Sequence, residues 1–249
     1  MTAGSNGERP ASDSPGVKRF YQAASIRAAK GGFEVTLDGK PVRTPAGSAL
    51  LSAEAVASAI AAEWAEQGER ILPETMPLTR IANTAIDGVA RSAGGVVDDI
   101  VAIGCNDLLV YRADAPAGLV ARQAAHWDPI LAFIARVLGV EVRPTTGIMP
   151  VAQPDGLAPA LRQIMPSDPL ALTALHQLTT LTGSAFISVS VAAEHLTFDA
   201  AWTAAHVDED WNIHEWGEDA EAAERRRRRA VDASAAAFLL SALRPALAR

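Results

Sequence analysis

One cysteine, Cys105, stands among 249 residues. A single thiol excludes an intramolecular disulfide and a cysteine-built zinc site, and it fits a reducing compartment. Aromatic residues are only 5% of a chain that is 49% hydrophobic, and alanine dominates that half. Helices can then pack closely on small side chains, and alanine is the best helix former. No apolar run reaches the roughly 18 uninterrupted residues of a membrane-spanning helix, so no membrane insertion is expected. Positive charge is also short: the net charge is −7, which argues against nucleic acid as the main partner. There is no Gly-x-x-x-x-Gly-Lys-Ser/Thr loop, no Gly-x-Gly-x-x-Gly after a strand, no Gly-x-Ser-x-Gly elbow and no His-Glu-x-x-His pair. Together these absences argue against an enzyme and against a bound cofactor. No His or Asn is tied to Cys105 by sequence, so it reads as a small buried apolar residue and not as a nucleophile.

What is present begins with a polar Gly/Ser/Pro-rich stretch over residues 1–16, expected to be a disordered tail. It lacks the apolar core of a secretory signal, and with Glu8 and Asp13 it is a poor transit peptide. Strand signals follow. Phe20 to Ala28 reads as a first strand. Phe33, Val35 and Leu37 alternate with polar residues before an Asp38-Gly39 turn and a return over Lys40 to Thr44. Ala49 to Leu51 reads as a further short strand. Helical periodicity starts at Ser52, a plausible N-cap, and a second helix starts at Pro77 with a stripe of Leu78, Ile81, Ala82, Ala85, Ile86 and Val89. Ser92 to Gly95 reads as a break between two domains.

Beyond it nearly everything reads helical. Val96–Val110 and Leu119–Leu138 are helices, the second with a kink or break near Asp128 because of Pro129. Residues 140–155 are a linker with one short strand, residues 157–165 a short helix, and Leu170–Leu196 one long apolar helix. The fold class is therefore α+β: a β-rich N-terminal domain over 17–92, then a mainly helical C-terminal domain over 93–249.

The stretch from Trp202 to Arg229 holds three of the five tryptophans and two of the five histidines. It reads as one long helix, with Trp202, Ala205, Ile213, Trp216, Ala220 and Val231 on one stripe and Glu209 in its middle. A carboxylate on a buried stripe is costly unless paired. Trp211, Glu215 and Glu218 lie near its back, either as a contact patch for a protein partner or under another helix. His206, Asp210 and His214, spaced i, i+4, i+8, offer a metal-binding helix edge as the alternative reading. Arg225 to Arg229 reads as a solvated face paired with Glu218, Glu221 and Glu224. Arg80, Thr84 and Asp87 form either a binding face or a structural ion pair at the domain junction.

Several stretches together resemble a known family. They are KRFYQAASI, GGFEVTLDGKPVRTPAG, AIAAEWAEQGERILPETMPLTRIANTAID, NDLLVYRADAPAGLVARQAAHWDP and EDWNIHEWGEDAE, spanning about residues 18–222. The family is that of the ATP synthase F1 assembly chaperones acting on the α subunit: the mitochondrial assembly factor and its α-proteobacterial relatives. The resemblance implies a chaperone without catalytic residues, cofactor or metal. It implies a monomer whose client is the unassembled F1-ATPase α subunit, shielded until the β subunit replaces it. Glu209, Glu215, Trp216, Gly217, Glu218 and Trp211 are the expected contact residues, with Arg80 and Asp87 secondary. The alanine-rich composition points to a bacterial cytoplasm; a eukaryotic member would act in the mitochondrial matrix.

Overall fold

The computed structural model describes residues 16–147 and 149–244. The expected tail lies outside them except for Gly16. Strand β1 (Val17–Lys18) precedes a hairpin of β2 (Ala24–Ala29), β3 (Gly32–Leu37) and β4 (Lys40–Pro41). Ile26 faces Val35 and Thr36 faces Pro41, so the hairpin turns at Asp38-Gly39 as its sequence requires. The first strand starts four residues later than expected because residues 20–23 are held otherwise. The Asp38 carboxylate accepts the N–H groups of Gln22 (3.1 Å) and Ala23 (2.9 Å), and Arg19 donates to the carbonyls of Tyr21 (3.1 Å) and Gln22 (3.0 Å).

Strand β5 (Leu51–Ser52) pairs with the opposite end of β3 from β4. Ser52 is thus part of the sheet, and helix α1 (Glu54–Ala65) starts after Ala53 with no side-chain cap. Val56, Ala57, Ile60 and Ala61 of α1 are buried. Strand β6 (Arg70–Ile71) returns antiparallel to β1. Helix α2 (Pro77–Thr84) begins at Pro77, as expected. One π-helical turn, Ala85–Val89, leads into α3 (Ala90–Cys105), which leaves helical geometry at Ser92 (φ −136°, ψ 30°). The division expected at 92/93 coincides with this kink, and one buried apolar cluster extends to both sides of it.

A 3-10 turn at Leu108–Val110 and strand β7 (Tyr111–Arg112) lead to α4 (Ala117–Leu138). Helix α4 runs through Pro129 without breaking; Pro129 has no N–H for the Ala125 carbonyl, and Ala125 is exposed, so water can satisfy it. Strand β8 (Thr145–Thr146) pairs parallel with β7, and α5 (Leu157–Gln163) follows. The single helix expected over Leu170–Leu196 is two, α6 (Pro169–Thr182) and α7 (Ala185–Ala192). Gly183 sits at φ 70° and closes α6, while the Ser184 hydroxyl caps α7 by accepting the Ile187 N–H at 3.0 Å.

The last region is also divided, into α8 (Phe198–Ala205), α9 (Val207–Trp216) and α10 (Ala220–Leu243). The single helix expected over Trp202–Arg229 is interrupted at His206 (φ −119°, ψ 21°) and Gly217 (φ 90°). Asp219 then caps α10, accepting the Ala222 N–H at 2.7 Å.

The architecture is α+β, with a sheet-bearing N-terminal part and a helical C-terminal part. Helix α6 is packed by α3, α7 and α10, and Trp127, Phe186 and Ile130 are fully buried. Asp107 is buried beside them. It accepts the Ser184 hydroxyl (2.7 Å) and the N–H groups of Leu109 and Phe186 (both 3.1 Å), tying the segment after α3 to the start of α7. Burial pushes its carboxyl up to about 7, against the pull of those hydrogen bonds. No helix among the described residues is long and apolar enough to cross a membrane.

Candidate functional site

The late acidic segment is positioned from behind by α4. Trp211 lies on Gly118, where an added Cβ would come within 2.5 Å of the indole ring. The Arg122 guanidinium sits 5.6 Å from the centre of that ring. Gln123 is buried and reaches in two directions: its amide donates to Asp208 at 2.7 Å, and its carbonyl accepts the Ala113 N–H at 2.8 Å. Trp127 donates its indole N–H to the Ala204 carbonyl at 2.7 Å, so the end of α8 is held as well. Trp211 is thus half-buried against α4.

On its other side α9 is joined to α10 by the Arg226–Asp210 ion pair. The rest of the arginine run is engaged locally. Arg225 pairs with Glu221, Arg227 and Arg228 both pair with Glu224, and Arg229 donates to the Leu181 carbonyl at 2.7 Å. The Arg227 and Arg228 hydrogen bonds hold the Glu224 carboxyl below its usual range.

Two expectations fail here. The apolar stripe needed continuous helical phase from 202 to 231, and the breaks at His206 and Gly217 remove it. Glu209 is consequently not on a buried stripe: its side chain is 42% exposed, with His206 Nε2 at 3.7 Å. The metal edge fails for the same reason. His206 precedes α9 and hydrogen-bonds the Trp202 carbonyl through Nδ1 at 2.8 Å, while Asp210 is taken by Arg226. No group of three or more His, Cys, Asp or Glu able to hold a metal occurs among the described residues. Burial, with Arg226 nearby, holds His206 below its usual pKa against the Trp202 carbonyl, Glu209 and Asp210.

The end of α9 is what remains open. Trp216 is 85% exposed, and Glu215, Gly217 and Glu218 are exposed beside it. Arg80 and Asp87 lie apart from this tip and from each other. Arg80 pairs with Asp232 of α10. Asp87 accepts the Thr44 hydroxyl at 2.6 Å and the Ala46 N–H at 3.0 Å, holding the loop after β4, and the Thr44 bond depresses its pKa most.

Two solved structures from bacteria bear on this arrangement. The chain is 43% identical to an Agrobacterium tumefaciens protein to which a chaperone role is ascribed, covering 91% of this chain and 86% of that one, with a TM-score of 0.86. It is 37% identical to ATP12 of Paracoccus denitrificans, covering 91% of this chain and 98% of that one, with a TM-score of 0.84. A family model described as ATP12 chaperone protein matches residues 18–135. The chain belongs to the ATP12 chaperone family. An aspartate-to-lysine variant of the Paracoccus protein has the same fold, with a TM-score of 0.84 to this chain.

Proposed function

We propose that this ATP12-family chaperone binds the unassembled α subunit of the ATP synthase F1 sector and shields the surface that the β subunit later occupies. The observation carrying this reading is Trp216, exposed at the tip of an acidic helix that is anchored on both flanks. Tryptophan is enriched at interface hot spots and rarely so open on a free surface. Glu209, Glu215 and Glu218 steer a basic client surface toward it, and Gly217 forms the turn that displays it. Trp211 supports α9 from behind. Arg80 and Asp87 act at a distance, by holding α10 and the loop after β4 on α2. An unassembled subunit aggregates through its exposed interface, and a monomeric chaperone of moderate affinity covers that interface and yields to the true partner. The reading puts the encounter in the bacterial cytoplasm.

The test is light scattering of purified α subunit with and without the chaperone, followed by size-exclusion chromatography and addition of β. The wild-type chaperone should hold α in a soluble complex that β dissolves. Trp216→Ala should weaken binding by about tenfold or more without unfolding the chaperone. Glu209→Lys should reduce protection. If α is not retained under conditions where β binds it, the reading is wrong. If Trp216→Ala and Glu209→Lys both protect fully, the α9 tip is not the contact.

A further inference from the structure

A second surface, lined by neither α9 nor α10, lies on the sheet-bearing part. It is a groove of about 360 Å3 between residues 20–21, the 37–43 hairpin arm and Trp64 of α1. Tyr21, Leu37 and Val42 are buried at its base, whereas Phe20 is 70% exposed. Three rings form a continuous edge-to-face row: Phe20 to Tyr21 at 5.4 Å and Tyr21 to Trp64 at 5.7 Å. The Tyr21 hydroxyl donates to the Trp64 carbonyl at 2.7 Å and so fixes the row. The Trp64 indole N–H is buried with no acceptor among the described residues, an arrangement that native proteins rarely leave without a reason.

The charges around the groove are uneven. Asp38 is taken up by the Gln22 and Ala23 N–H groups. Arg19 lies over the Tyr21 ring at 4.6 Å and donates to backbone carbonyls. Lys40 and Arg43 are exposed lining residues, and neither has a carboxylate partner among the described residues. A chain of net charge −7 thus keeps Lys40 and Arg43 without a carboxylate partner among the described residues beside this row of three aromatic rings.

We propose that this groove binds an extended, acidic, proline-containing segment of a protein partner. An aromatic-lined groove accepts pyrrolidine rings, and a segment already extended loses little freedom on docking. Lys40 and Arg43 pair with its flanking carboxylates, which sets the direction of docking and excludes basic segments. Trp64 lines the groove, so its indole signal reports on docking. The proposal is independent of the α-subunit reading, because it is tested on the free chaperone with a peptide.

The test uses the full chain labelled with 15N, with the Trp64 indole signal assigned from a Trp64→Phe spectrum. The probes are the peptide acetyl-Glu-Glu-Pro-Pro-Leu-Pro-Glu-amide, its counterpart with lysine in place of glutamate, and a uridine decanucleotide. The acidic peptide should shift the Trp64 indole signal with a one-site Kd below about 1 mM. The lysine peptide should bind at least about tenfold more weakly. Lys40→Glu and Arg43→Glu together, and Phe20→Ser alone, should each weaken the acidic peptide by a similar factor. All three positions are exposed, so unchanged signals from the other indoles will show that the variants fold. No Trp64 shift at millimolar peptide, equal binding of the lysine peptide or by the charge-reversed variant, or preference for the oligonucleotide would overturn the proposal.

Discussion

Asp107 is a carboxylate the fold buries completely, and it has a consequence that pH can read. Its folded pKa, about 7, lies above the ordinary aspartate value of about 3.9. The ionised form is therefore disfavoured in the folded state. This group's contribution is most favourable in acid, declines as pH rises from about 4 to 7, and is flat above. Between pH 5 and 7 the decline is about 2 kcal/mol. Asp107→Asn removes the titration but turns amide hydrogens toward donors, so it should be destabilising at pH 5. The wild-type advantage should shrink by pH 7 and then stay constant, as chemical unfolding at several pH values will show. A constant difference across that range would mean Asp107 does not titrate there. His206 acts oppositely: its folded pKa is depressed below about 6.5, so its contribution is present above that pH and lost as pH falls from there through the folded value. The role of Asp107 was not legible beforehand. Asn106-Asp107 is only a local capping signal, and its second set of partners lies 77 to 79 residues away.

Among the elements, the α4–α9 contact gives the sharpest test. Gly118→Ala should gain about 1 kcal/mol of helix propensity but push an atom into Trp211. In the wild-type background it should lower the melting temperature. In a Trp211→Phe background, where the outer ring is gone, it should raise it. The same sign in both backgrounds would show that the close approach is not strained. The hairpin around Asp38-Gly39 and the start of α2 at Pro77 were legible, because both depend on backbone preferences of adjacent residues. The start of α1 was not, since Ser52 is drawn into pairing with Phe33. Nor was the cap of α2, whose Leu78 and Thr79 N–H groups are accepted by Glu63 of α1 at 2.7 and 2.8 Å.

At the scale of the whole molecule, a chain of net charge −7 with an acidic tip should meet a basic client under electrostatic steering. The association rate with the α subunit should fall several-fold between about 0.05 and 0.5 M salt, where the screening length shortens to a few ångströms. On the proposed reading the dissociation rate should change much less, because apolar burial of Trp216 is insensitive to salt screening. Stopped-flow fluorescence separates the two. A salt-independent association rate would remove Glu209, Glu215 and Glu218 from the steering role.

The α+β class, the turn of the hairpin, the family and the absence of an intramolecular disulfide are all legible in the sequence. These follow from composition, alternation and turn chemistry, which are local, and from motifs that stay in order. Only the tertiary structure decided which late residues are open. Periodicity placed Glu209 and Trp216 on a buried stripe and Trp211 near the back of the same helix. The breaks at His206 and Gly217 rotate the segments out of phase, Trp211 is half-buried against α4, and Trp216 is 85% exposed. A helical pattern predicts a face, but what packs on that face is set by α4 residues such as Gln123, 85 positions from its partner Asp208.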